Sequence, residues 1–109
     1  MLWVVVDLRK NSRTFGQWES TVLAENESRS LYAARGLGHA CVSLADNCDL
    51  VVRSDNFYSR EKGGGIIWND KDLAIDWQLK GNTPFLSSEH IKYPTFKEFK
   101  DKYGGIVVQ

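Results

Sequence analysis

His39, Cys41 and Ser43 stand two residues apart. In an extended strand that spacing lines an imidazole, a thiol and a hydroxyl along one face, with Ala40, Val42 and Leu44 on the other. Such a set suits proton transfer or the recognition of a polar ligand such as a carbohydrate. Tyr58 follows in the next loop and is expected near the mouth of the same pocket, with the His39 ring facing its interior. Arg9, Asp7, Cys41 and Trp77 complete the candidate set, and Glu89 and His90 are secondary members. Against this stands a plainer role, since a histidine on a strand also serves as an ordinary hydrogen-bonding residue.

These side chains need strands to hold them. Leu2-Trp-Val-Val-Val-Asp-Leu8 is β-branched and aromatic, which favours a strand inside a sheet. Residues 9–16 form a loop, and Gln17 to Ala24 alternates as a second strand. Ser30 to Ala34 is a short strand leading into Arg35-Gly-Leu-Gly38, where two glycines bend the chain just before His39. Ala45-Asp-Asn47 turns the chain, because Asp and Asn tolerate the left-handed region. Cys48 to Ser54 is then expected to return as a strand. The glycines at 63–65 read as a flexible loop, because the phosphate-cradling alternative needs a following helix. Ile66-Ile-Trp68 and Leu73 to Trp77 have strand patterns, and residues 87–91 a helical turn. Thr95-Phe-Lys-Glu98 is a capping box, after which Phe96, Phe99 and Tyr103 recur at helical spacing up to Gly104. The whole reads as an all-β barrel or sandwich with a short C-terminal helix.

Composition narrows the function. A chain of 109 residues, 42% hydrophobic and 26% charged, fits one globular domain. Lys plus Arg equals Asp plus Glu at 14 each, so no overall basic field recruits nucleic acid or an anionic membrane. The longest apolar run, Leu2 to Val6, is too short to span a bilayer and lacks the layout of a signal peptide. A cytoplasmic location is expected, with Cys41 and Cys48 as free thiols. Metal-binding β-barrels use about three histidines and a carboxylate. Only His39 and His90 are present here, so no metal and no cofactor is expected.

Seven motifs, in order and spacing, give a resemblance that covers nearly the whole chain. They are Val5-Val-Asp-Leu-Arg-Lys10 followed by Thr14-Phe-Gly-Gln-Trp18, then Gly36-Leu-Gly-His39 and Ser54-Asp-Asn-Phe-Tyr-Ser59. Ile66-Ile-Trp-Asn-Asp70 with Leu73-Ala-Ile-Asp-Trp77, and Pro84-Phe-Leu-Ser87, complete the set. Together they resemble the dTDP-4-dehydrorhamnose 3,5-epimerase (RmlC-like) family. The resemblance implies a single cupin-like jelly-roll domain over residues 1–109, without metal, in a dimer, acting on a dTDP-linked 4-keto sugar. It further implies epimerisation beside the ketone, in which a base removes an acidic proton and a proton returns on the opposite face. His39 and Tyr58 match pocket positions of the family.

The departures set a second expectation. The family's Arg-Gly-x-His stretch, with the catalytic base and a supporting lysine, is expected to lie ahead of Met1. The tyrosine acid of the family falls at Val52, the residue before the glycine turn is Arg35 rather than proline, and a Ser-Glu-Lys-Asp pattern reads Ser87-Ser-Glu-His90. A catalytically degenerate, sugar or sugar-nucleotide binding or structural relative is therefore expected, so enzymatic activity is left open. The alternative is an epimerase or isomerase of deoxysugar biosynthesis with a rebuilt or partner-completed site. Residues 2–8 are also expected to leave an uncovered apolar edge, which a homodimer would bury.

Overall fold

The computed structural model describes residues 1–57, 59 and 63–108. Three strands form one antiparallel sheet: β1 (Leu2–Asp7), β2 (Trp18–Val22) and β3 (Leu37–Val42), in the order β2-β1-β3. Two short helices follow, α1 (Ser88–Ile91) and α2 (Phe96–Tyr103). The β-branched run of β1 is the central strand, paired along both edges. Val5 stands opposite Glu19 on one side and His39 on the other. The expectation of an uncovered edge along residues 2–8 is thereby corrected. Both edges are taken within one chain, so unpaired backbone in β1 gives no reason for self-association.

Alternation along β1 decides the two faces of the sheet. Leu2, Val4 and Val6 are buried, and cross-strand pairing places Trp18, Ala40 and Val42 on their side. Val6, Leu8 and Leu73 form a core against which Trp18, Ile66, Ile75, Phe96 and Phe99 pack. Each buried Val or Leu side chain contributes about 1.5–3 kcal/mol relative to exposure. Trp18 serves twice here, since its indole N–H also donates to the carbonyl of Leu73 at 2.8 Å.

Several expected strands do not form. The turn at 45–47 is present, with Asn47 at φ 57, but residues 48–54 do not pair with β3, and Leu50, Val51 and Val52 are exposed. Residues 30–34 and 66–68 also lack a ladder; Ile67 instead donates to the carbonyl of Pro94 at 2.8 Å. In the run 73–77 the expected alternation of burial survives, Leu73 being buried, Ile75 and Trp77 half-buried, and Ala74 and Asp76 exposed. The backbone, however, turns through the left-handed region at Ala74 (φ 50) and Gln78 (φ 55), which prevents a regular strand.

Two buried carboxylates hold the irregular parts. Asp70 accepts the backbone N–H groups of Asp72 and Leu73, both at 2.9 Å, and that of Phe96 at 2.7 Å. It thus fastens the 70–73 turn to the first turn of α2, where orphan N–H groups need acceptors. The capping box forms as read: Thr95 accepts from the Glu98 N–H at 3.1 Å, and Gly104 closes the helix at φ 68. The Glu98 carboxylate accepts the Thr95 hydroxyl, at 3.2 Å.

Asp7, at the end of β1, is 6% exposed. Its carboxylate takes two 3.0 Å bonds from the Arg9 guanidinium, one from the Arg9 backbone N–H, and the hydroxyls of Ser12 and Thr14. The Arg9 guanidinium, seconded by those hydroxyls and the N–H, holds the Asp7 carboxyl well below the usual carboxylate range, although burial opposes this. The network fixes the loop between β1 and β2. It also needs the glycine before β3: Gly36 lies at φ +87, and a Cβ there would sit 2.5 Å from Cγ of Arg9.

Two outcomes follow from these carboxylates. Asp70→Ala leaves three backbone donors without their acceptor, at about 1–3 kcal/mol each. Urea unfolding should show a loss of roughly 3 kcal/mol or more, against about 1 kcal/mol for Thr95→Ala. For Asp7 the depressed folded-state pKa means that the folded protein binds fewer protons than the unfolded chain. The stabilisation is present above the unfolded value of about 4 and is lost as pH falls below it. Urea midpoints from pH 7 to pH 2 should fall steeply in the native protein. Asp7→Asn should start lower at pH 7 and show a flatter acid limb.

Candidate functional site

The face of the sheet turned away from the core carries Trp3, Val5, Glu19, Thr21, His39 and Cys41, as the register requires. His39 is exposed rather than enclosed by a wall. Its ring centroid lies 6.2 Å from that of Trp3, with the planes inclined at 38°. Among the described residues, Trp3 supplies the aromatic ring that meets the imidazole. Glu19 flanks Val5 on the opposite side. Two strand spacings put its backbone roughly 10 Å from that of His39, with both side chains on the same face. Val5 thus stands between the carboxylate of Glu19 and the imidazole of His39, with the Trp3 ring beside the imidazole.

Cys41 extends this row on β3. Partial desolvation pushes its thiol up, with the N-terminal ammonium opposing, so it stays a neutral thiol at pH 7 rather than a nucleophilic thiolate. Cys48 bonds Ser43 Oγ at 3.0 Å, and both cysteines are free.

The other candidates do not join this face. Asp7 and Arg9 are consumed by the loop network described above. The Trp77 indole N–H donates to the Trp68 carbonyl at 2.8 Å, which makes it a fastening of the 66–77 segment. Glu89 and His90 lie on α1, which does not pack on the strands; the His90 ring instead meets Tyr93 at 5.2 Å. Tyr58 lies outside the described residues. Among the described residues no three His, Cys, Asp or Glu side chains converge as metal ligands, and no helix is long and apolar enough to cross a membrane. Trp3 and Glu19 were missed by motif reading. The signal that finds them is register: once β1 is central, Trp3 and Val5 of β1 share a face with Glu19 and Thr21 of β2 and with His39 and Cys41 of β3.

Position 52 bears on proton chemistry. Val52 is 65% exposed, in an extended segment outside the sheet, and its side chain has no proton to give.

Comparison with known proteins places this geometry. The family model for dTDP-4-dehydrorhamnose 3,5-epimerase matches residues 1–98. The dTDP-4-dehydrorhamnose 3,5-epimerase of Shigella flexneri is 37% identical over 93 residues, covering 85% of this chain and 50% of that protein. The rmlC epimerase of Mycobacterium tuberculosis superposes with a TM-score of 0.82 at 30% identity, covering 97% of this chain and 54% of that one. The 4-keto-6-deoxy sugar epimerase NovW of Streptomyces spheroides gives 0.75 at 29% identity, with 97% and 53% covered. The chain spans about half the length of the curated relatives it matches. On sequence and structure alike, it belongs to the dTDP-4-dehydrorhamnose 3,5-epimerase family.

Proposed function

We propose that this chain binds a nucleotide-linked deoxysugar on the Trp3–His39 face and does not epimerise it unaided. The observation that carries this reading is the His39 imidazole beside the Trp3 ring on an open sheet face, with Glu19 across from it. The apolar plate offers stacking area, and the two polar groups offer orientation. The fold around it is taken as one cupin-like jelly-roll domain, in keeping with its structural relatives.

Epimerisation beside a ketone needs a base to remove the α-proton and an acid to return one to the opposite face. Each group typically contributes about 10²–10⁴ in rate. His39 is one such group. Val52 stands where the family resemblance puts the acid, and Asp7 is locked in its ion pair with Arg9. A second reading, turnover in a site completed by another polypeptide segment, is favoured by the 37% identity to a curated epimerase.

Calorimetric titration with dTDP, and then with a dTDP-linked 4-keto-6-deoxy sugar, tests binding. The expected result is saturable binding, weakened at least about tenfold by His39→Ala, with the fold unchanged by circular dichroism. Incubating the keto sugar in D₂O separates the two readings. No deuterium above the protein-free control is expected, even at high protein concentration, and ring deuterium would favour turnover. Val52→Tyr alone should leave the exchange at background, because an acid without an opposing base completes no epimerisation.

A further inference from the structure

A hollow of about 270 Å³ opens between the loop that leaves β1 and the segment that follows α2. Arg9, Lys10, Asn11 and Ser12 line it from the loop, Ile106 and Val108 from the segment. The backbone around it is tied together. Ile106 donates to the Leu8 carbonyl at 2.7 Å and accepts the Lys10 N–H at 2.8 Å, a parallel bridge beside Arg9. Gly105 allows that close approach, since a Cβ there would sit 2.7 Å from Cα of Lys10. Val108 rests on Gly36, where a Cβ would come 2.6 Å from its Cγ2. Asp7 fixes the Arg9 guanidinium, and Ser12 bonds the same carboxylate. A lining ordered in this way spares a ligand the cost of ordering it.

The charges decide what the hollow attracts. No carboxylate side chain lines it. Arg9 gives Nε and Nη2 to Asp7, which leaves Nη1 without an acceptor among the described residues. The ion pairs among the described residues are Arg9–Asp7, Arg29–Glu27 and Arg35–Asp55, so the Lys10 ammonium is in none of them. Arg9 and Lys10 bring two positive charges and Asp7 one negative, which leaves one positive charge to be balanced. A carboxylate balances it and accepts charge-assisted bonds from guanidinium and ammonium alike. Ile106 is 39% exposed and Val108 45%, so both offer apolar surface to whatever the carboxylate carries. The volume falls just below the ~300–1,000 Å³ of drug-sized ligand sites, which argues for an occupant smaller than a sugar nucleotide. The hollow shares no residue with the Trp3–His39 face, and Ile106 and Val108 lie outside residues 1–98, the part that the family model matches.

We propose that this hollow binds a small monocarboxylate with a short aliphatic chain. The carboxylate meets Arg9 Nη1 and the Lys10 ammonium, and the chain lies against Ile106 and Val108. The site uses none of the groups assigned to the sugar nucleotide, so each reading stands if the other fails.

Two-dimensional amide NMR of the full chain during titration with isovalerate tests this. The signals of Lys10, Asn11, Ile106 and Val108 should move together and saturate, with a dissociation constant below about 10 mM. Lys10→Gln, which keeps the backbone bond to Ile106, should weaken binding at least about tenfold with an unchanged circular dichroism spectrum. Val108→Ser should weaken isovalerate at least about threefold and leave the weaker binding of acetate unchanged. No saturation with isovalerate overturns the proposal. Isopentyl alcohol saturating the same signals also overturns it, since the charge is then idle. Inorganic phosphate binding there as tightly as isovalerate does so too, because a bare anion makes no use of the apolar wall. Shifts centred on Trp3 and His39 instead would place the carboxylate on the other face and equally overturn it.

Discussion

Backbone pairing on both edges of β1 is the constraint on which the rest of the structure depends. It fixes Val5 between Glu19 and His39 and so decides, residue by residue, which side chains share a face. Burial enforces that register. A slip of one residue would turn Leu2, Val4 and Val6 out of the core and Trp3 and Val5 into it. The Trp3–His39 face is therefore a consequence of core formation on the other side of the same strand.

The two buried carboxylates show why charge alone does not mark a site. Asp7 and Asp70 are each 6% exposed, and each has its oxygens filled by donors from the chain. At Asp7 the Arg9 guanidinium, with the added hydroxyl and N–H donors, holds the carboxyl well below the usual carboxylate range, which leaves it little capacity to take up a proton near neutral pH. Asp7 fastens the loop leaving β1, and Asp70 fastens a turn to α2. The groups left open toward solvent on the sheet, His39 and Glu19, are those with capacity to meet a ligand.

Much of this was legible in the residues. The Thr95 cap, the Gly104 stop, the Asn47 turn and the apolar strand at residues 2–7 each rest on local chemistry, and each is present. The expected strand at 73–77 kept its burial pattern and lost its ladder, because alternation reports which side chains face the core and not whether a neighbouring strand exists. The return strand at 48–54 lacks a pairing partner among the described residues. The same limit explains the site: His39 was visible from its spacing with Cys41, whereas Trp3 and Glu19 became its companions only because β2 and β3 pair on opposite edges of β1. Asp7, Arg9 and Trp77 have the right chemistry for a pocket, but tertiary hydrogen bonds had already claimed them.

The central claim is that a sugar nucleotide lies on the Trp3–His39 face. Two-dimensional NMR of the indole and imidazole groups during titration with dTDP tests it most directly, because the tryptophans report on different parts of the molecule. The account predicts that the Trp3 indole and His39 ring signals move together and saturate. The indole N–H signals of Trp18 and Trp77, bonded to Leu73 and Trp68, should stay in place. Shifts confined to Trp77 or to the His90 ring on α1, or no shift at Trp3 and His39 at saturating dTDP, would contradict it.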